Sequence, residues 1–143
     1  MKISKRINDI IEELKDQYLE EDRCNRPWII GFSGGKDSTV LLTLTWLALQ
    51  QLKEEGHHLT RQVYVVCNDT MVENPVIEEY VTVVLDAIRK AAKEQEMPIT
   101  VATTTPELED TFWCCVIGKG YPAPNNSFRF CTEKMKIKPT ARF

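Results

Sequence analysis

Residues 31–38 read Gly31-Phe32-Ser33-Gly34-Gly35-Lys36-Asp37-Ser38, directly after the apolar run Trp28-Ile29-Ile30. Two hydroxyls, two adjacent glycines, a lysine and an aspartate in this order suit the binding of an anion. Gly34 and Gly35 can take positive φ and let backbone N–H groups approach a phosphate. A helix starting near Ser38 adds the partial positive charge of its N-terminus. Lys36 brings a point charge, and Ser33 and Ser38 bring hydroxyl donors. Asp37 fits beside a phosphate either as a helix cap or as a ligand to a metal ion that rides on the phosphates. A plain glycine turn would need neither the hydroxyls nor the lysine. Two familiar phosphate loops are not matched. The pattern G-x-x-x-x-G-K-[ST] asks for glycine where Ile30 stands and for a hydroxyl where Asp37 stands, and G-x-G-x-x-G fails as well.

The elements around the loop follow from periodicity. Residues 3–19 place apolar side chains at 3, 7, 10, 11, 14 and 18, the stripe of an amphipathic helix. Residues 21–27 are a polar break. Residues 28–32 read as a short buried strand, and the apolar stretch 38–52 is too long for a strand, so it reads as a buried helix ending near Gly56. Residues 61–68 form a second strand, rich in β-branched side chains. After a loop at 69–75, residues 76–95 carry a helical stripe that Pro98 breaks. Residues 99–104 are a third strand, and 107–117 a short helix. Residues 118–130 are turn-rich, and Thr132 caps a last helix that ends by Pro139. Helices alternating with strands predict an α/β fold with a parallel sheet. In such a sheet ligands bind beyond the carboxyl ends of the strands, where residues 31–38 sit.

Totals bound the function class. The chain has 143 residues, 43% apolar and 27% charged, the composition of one water-soluble globular unit. No run approaches the roughly 18 apolar residues of a membrane span, and no signal peptide is present, so a cytoplasmic location without membrane partners is expected. Five cysteines at irregular spacing, Cys24, Cys67, Cys114, Cys115 and Cys131, form neither a disulfide framework nor a metal-ligand pattern. The net charge of −3 hides an asymmetry: residues 1–118 balance to −8 and residues 119–143 to +5. Lys119, Arg129, Lys134, Lys136 and Lys138, interleaved with Phe128, Phe130 and Pro139, are therefore candidates for phosphate or DNA contacts; a solvated basic tail is the alternative.

Ser33-Gly34-Gly35-Lys36-Asp37-Ser38 resembles, at every defined position, the S-G-G-x-D-S signature of the PP-loop ATP pyrophosphatases. Residues 68–75, Asn-Asp-Thr-Met-Val-Glu-Asn-Pro, resemble the D-T-x-x-E-x-P loop of their phosphoadenylylsulfate-reductase-like branch. Residues 129–139 resemble the R-[WF]-C-T-x-x-L-K-I-K-P stretch of the DndC family, the sulfurtransferase component of bacterial DNA phosphorothioation, as do residues 110–113 and 117–124. The likeness runs from about residue 28 to the end. It implies a Rossmann-like, adenine nucleotide alpha hydrolase-like sheet flanked by helices, with residues 1–26 as an N-terminal helix and linker. Residues 27–143 would then be a PP-loop domain, incomplete and truncated at its C-terminus.

The resemblance further implies cleavage of ATP to AMP and pyrophosphate, with Mg2+, to adenylate a DNA phosphate for sulfur insertion. Lys36, Asp37 and Cys131 would be catalytic. Ser33, Gly34, Gly35, Lys36, Asp37, Ser38, Asp69, Thr70 and Glu73 would hold the nucleotide, and Asp37 and Asp69 the magnesium. Implied partners are DNA, a cysteine desulfurase as sulfur donor and other Dnd-type proteins. An iron–sulfur cluster belongs to the family, with its ligands expected outside these residues. The alternatives are a phosphoadenylylsulfate or adenylylsulfate reductase, and a nucleotide- or DNA-binding fragment without turnover.

Cys131, near a helix start and close in sequence to Arg129, Lys134 and Lys136, is either a persulfide carrier or sulfur nucleophile, or a packing residue. Cys67, Cys114, Cys115 and Trp46 are expected in the core. Trp28 and Trp113 either pack or stack on adenine.

Overall fold

The computed structural model describes residues 3–20 and 25–143, so residues 21–24 of the polar break and Cys24 with them lie outside the described residues. Helix α1 (Ile3–Leu19) leads into β1 (Trp28–Gly31), α2 (Lys36–Glu54), β2 (Val63–Asn68), α3 (Pro75–Glu94) and β3 (Ile99–Thr104). The strands form one parallel sheet in the order β1-β2-β3. Gly31 lies opposite Val66, and Asn68 opposite Thr104. The loops that leave β1, β2 and β3 therefore emerge at the same edge. This is a mixed α/β chain compatible with a Rossmann-like fold.

Val63, Val65, Cys67, Ile30 and Ile99 point from the sheet into one apolar core with Leu42, Leu49 and Leu52 of α2 and Leu85 and Ala92 of α3. Helix α1 is fastened at its C-terminal end. The Arg61 guanidinium donates to the Gln17 and Glu20 carbonyls at 3.3 and 2.7 Å, satisfying helix-end acceptors with a cation. The Tyr18 hydroxyl donates to the Arg61 carbonyl at 2.6 Å, and its ring meets Trp28 edge-on at 5.5 Å. Trp28 is thus a packing residue.

Two helices bury less than their composition suggests. Ile3, Ile7 and Ile10 of α1 are exposed, Ile3 to 80%, and only Ile11, Lys15 and Tyr18 are buried. In α2, Leu42, Thr45, Leu49 and Leu52 recur at helical spacing on the buried face, while Val40, Leu41 and Leu47 remain exposed. Apolar content had suggested burial all round, but the three-strand sheet covers a single face. No helix among the described residues is long and apolar enough to cross a membrane.

Beyond β3 the chain differs from the sequence expectation in two places. Residues 107–117 are not one helix: a 3-10 turn (Leu108–Asp110) is followed by a helical segment containing a π-turn (Cys114–Gly118). Nor does Thr132 cap a helix that stops at Pro139. Helix α4 (Phe130–Thr132), a π-turn (Glu133–Ile137) and α5 (Lys138–Arg142) run on without a break through residues 130–142. In the π-turn the Lys138 N–H bonds the Glu133 carbonyl five residues back. That widened turn lets the rod pass through Pro139, whose ring would clash in an uninterrupted α-helix. Met135, Cys115 and Phe130 form a second small core with Phe112, Val116, Tyr121 and Cys131.

Leu49 is fully buried between α2 and the sheet. Replacing it with Ala should cost about 3 kcal/mol in urea unfolding. A loss under about 1 kcal/mol would show that α2 is not seated on the core as described.

Candidate functional site

The loop after β1 turns at Gly34, whose φ is +74°. A β-carbon there would lie 2.8 Å from Val81 Cγ2, so the turn packs directly on α3 and only glycine fits. Gly35 is the N-cap of α2, with extended φ and ψ and no side-chain cap bond. The helix thus starts at Lys36, two residues earlier than expected. Asp37 is a first-turn residue rather than a cap. Ser38 Oγ accepts from the Ser33 N–H at 3.3 Å and donates to the Gly35 carbonyl at 3.1 Å, closing the loop on itself. The N–H groups of Lys36, Asp37 and Ser38 open the helix without intrahelical partners. Lys36 and Asp37 are exposed and have no side-chain partner among the described residues.

The loop after β2 is internally braced. Asp69 Oδ1 accepts from the Met71 N–H at 2.8 Å, and this turn holds Met71 at φ 61°. Buried Thr70 donates to Glu73 Oε1 at 3.0 Å. Asn74 caps α3 by accepting from the Val76 N–H, with Pro75 in the first turn. The two loops flank a cleft of about 490 Å³ at the carboxyl edge of the sheet. Its polar walls include Ser33, Asn68, Asp69, Glu73 and Lys136, and its floor Phe32, Cys67 and Leu85.

Of the residues expected to hold the nucleotide, Ser33, Asp69 and Glu73 line this cleft, Thr70 sits behind Glu73, Gly34 and Gly35 shape the turn, and Lys36, Asp37 and Ser38 stand outside the lining. The donor set is hard oxygen: Asp69 and Glu73 line the cleft, and Asp37 stands at the neighbouring helix start. No group of three or more His, Cys, Asp or Glu among the described residues is placed to hold a metal. Carboxylate oxygens are of the type that magnesium takes alongside phosphate oxygens and water.

The cleft contains a thiol, and it is not the one singled out. Cys67 lines it. Burial pushes the Cys67 thiol up from its ordinary value, and the Asp69 and Glu73 charges push the same way, so it is neutral at neutral pH. Cys131 is the second residue of α4, not a residue ahead of the helix, and packs half-buried against the Cys115–Phe130–Met135 cluster.

The basic C-terminal residues divide by helical face. Lys134 and Lys138 turn to Asp110, a carboxylate only 8% exposed; Lys138 lies at 3.3 Å and Lys119 at 3.9 Å from it, with Lys134 closer still. The Lys134 hydrogen bond holds the Asp110 carboxyl below its ordinary value, against the opposing effect of burial. Arg142 pairs with Glu107, and Arg129 donates to Asn126 Oδ1 at 3.3 Å. Lys136, between Lys134 and Lys138, takes the other side of the rod and lines the cleft. Asn68 ties this together. Its Oδ1 lies 2.6 Å from Thr104 Oγ1 on β3 and 2.9 Å from Thr140 Oγ1 on α5.

Asn68, Asp110 and the cleft position of Lys136 escaped the sequence reading. The one available signal was the i, i+4 lysine pair 134/138 facing the acidic stretch 107–110 across the chain. Trp113 is 60% exposed rather than core. No protein-family model matches the chain.

Gly34→Ala should destabilise by about 2 kcal/mol, from left-handed backbone strain and the Val81 contact together; thermal melting with an unchanged midpoint would contradict the close approach. Asp110→Asn should cost about 2 kcal/mol at pH 7 by leaving Lys134 uncompensated. Because the Asp110 pKa is lowered on folding, its contribution is complete above the ordinary carboxylate value and is lost as pH falls through the depressed one. The gap between wild type and variant in urea unfolding should therefore hold above about pH 5 and begin to narrow below about pH 4, closing only below the depressed value. A gap independent of pH would show that the charge is not what matters.

Proposed function

We propose that this chain is a PP-loop ATP pyrophosphatase of the adenine nucleotide alpha hydrolase-like class. In this role it adenylates an oxygen acceptor and releases pyrophosphate. The observation that carries this is the placing of Ser33, the first residue of the 33–38 loop, beside the carboxylates Asp69 and Glu73 in one cleft at the carboxyl edge of a parallel sheet. The loop offers first-turn N–H groups, Lys36 and the Ser33 hydroxyl to a phosphate chain, a set suited to charge stabilisation.

An acceptor oxygen attacks the α-phosphorus. The P–O bond between α and β breaks, and its electron pair leaves on the pyrophosphate, whose charge the loop N–H groups and Lys36 neutralise. Magnesium, when bound, supplies further charge neutralisation on the phosphates. With water as acceptor the products are AMP, pyrophosphate and a proton. With a DNA phosphodiester oxygen the product is an adenylated phosphate, open to attack by a sulfur nucleophile with AMP leaving. That second acceptor, the DndC-like role in DNA phosphorothioation, is supported by the likeness of residues 129–139. Cysteine desulfurase and sister Dnd-type proteins would then be the partners, in the cytoplasm. Burial raises the pKa of the Cys67 thiol, which makes it a poor nucleophile as it stands.

Incubating the protein with α- and γ-labelled ATP and magnesium should yield labelled AMP and pyrophosphate. ADP with inorganic phosphate as the main products would sink the proposal. Lys36→Ala should lower AMP formation about a hundredfold. Because Lys36 is exposed, the thermal midpoint should stay within about 2 °C of wild type.

A further inference from the structure

The cleft faces its ligand with three carboxylates, Asp69, Glu73 and Glu78, and one side-chain cation, Lys136. Lys136 lies within 4.0 Å of none of those carboxylates and has no other ion-pair partner among the described residues. Its backbone is pinned more firmly than an exposed lysine on a short terminal helix would need. Two residues to either side, Lys134 and Lys138 are drawn to the buried Asp110 carboxylate. The Lys136 carbonyl accepts from Thr140 Oγ1 at 2.8 Å, and the same oxygen reaches Asn68 Oδ1, itself a wall of the cleft, at 2.9 Å. The hydroxyl lies between the main chain of Lys136 and the end of β2, and its one hydrogen serves one of these two acceptors at a time. The rod is clamped on both sides of the one cation it turns toward the cleft.

We propose that Lys136 is a cationic ligand for a polyphosphate anion in the cleft that Ser33 of the residue 33–38 loop also lines, and that Asp110 is its positioning residue. The ligand class is a magnesium-bound pyrophosphate moiety, free or as the end of a nucleoside triphosphate. The hard oxygens of Asp69 and Glu73 serve the metal, while Lys136 and the loop serve the phosphate oxygens. Asp110 touches no ligand. It acts through Lys134 and Lys138 by fixing the helix face that delivers Lys136. The proposal rests on the cleft being the phosphate site of the proposed ATP pyrophosphatase, and it tests separately from turnover.

Calorimetric titration of the full chain with inorganic pyrophosphate and magnesium is the direct experiment. Lys136→Ala should weaken binding about tenfold, and Lys136→Arg should hold it within about threefold. Lys90→Ala removes a charge of the same sign from the exposed Lys90–Glu94 pair on α3 and should leave affinity unchanged. Asp110→Asn should weaken binding in the wild-type background but add little to Lys136→Ala, because a positioning residue has nothing left to position. Additive losses would make Asp110 merely structural and overturn its role. Unchanged affinity in Lys136→Ala, or no pyrophosphate binding by the wild type, overturns the site itself. If Lys136→Ala loses affinity while ATP yields ADP, the site stands and the pyrophosphatase reading fails. If ATP yields AMP while Lys136→Ala binds like wild type, the site fails and that reading stands.

Discussion

A carboxylate with only 8% of its side chain in contact with solvent costs too much to leave unpaired, and Asp110 is such a group. Much of the chain beyond β3 is arranged to answer it. Lys119, Lys134 and Lys138 converge on it from two segments, so it fixes both the position of the last helix and its rotation about its axis. Rotation is the important part. With Lys134 and Lys138 committed to Asp110, Lys136 has to leave the other side of the rod, and there lies the cleft. The apolar cluster of Cys115, Phe130 and Met135 supplies the burial under this clamp but could not choose its rotation, since apolar packing lacks direction. The carboxylate and the Asn68–Thr140 contact supply the direction.

The glycine loop is governed by a different constraint, close approach. Gly34 packs against Val81 and Tyr80 of α3, so the loop after β1 and the helix after β2 are built against one another. The second loop is held from within by Asp69, Thr70 and Asn74, each bonding a near neighbour. The polar groups of the cleft are therefore placed before any ligand arrives. Preorganised donors stabilise developing charge without paying for reorganisation, and this is the physical basis on which the loop is read as a leaving-group grip.

What was legible in the sequence was local. The three strands and the helices between them follow from period and breaker residues, and β3 runs from Ile99 to Thr104 as expected. The loop residues were legible because their chemistry is unusual for a turn. Burial was not. The stripe of α1 and the apolar run of α2 announced more burial than a three-strand sheet can give, because composition does not say how many neighbours a helix has. Pro139 was read as a terminator since an α-helix cannot carry it, and the π-turn at residues 133–137 that relieves the clash has no simple sequence signature. The basic residues were read as one group because charge counts are blind to direction. Asp110, at the far end of a 24-residue separation from Lys134, divides them.

That division changes what the basic C-terminus can do. A phosphodiester backbone gripped along this end would need several free cations, each adding counterion release. Lys134 is only 16% exposed and engaged with Asp110, while Lys119 and Lys138 share the same carboxylate. Arg142 faces Glu107, and the nearby groove also contains Glu109. Asp110 and Glu107 thus answer two of the five surplus positive charges and fix where Lys119, Lys134, Lys138 and Arg142 point. Of the cations Lys136 is the one that lines the cleft, whose carboxylates would repel a bare polyanion. A polyphosphate of the kind proposed for that cleft would have to bring its own cation, with metal then facing the carboxylates and phosphate facing lysine.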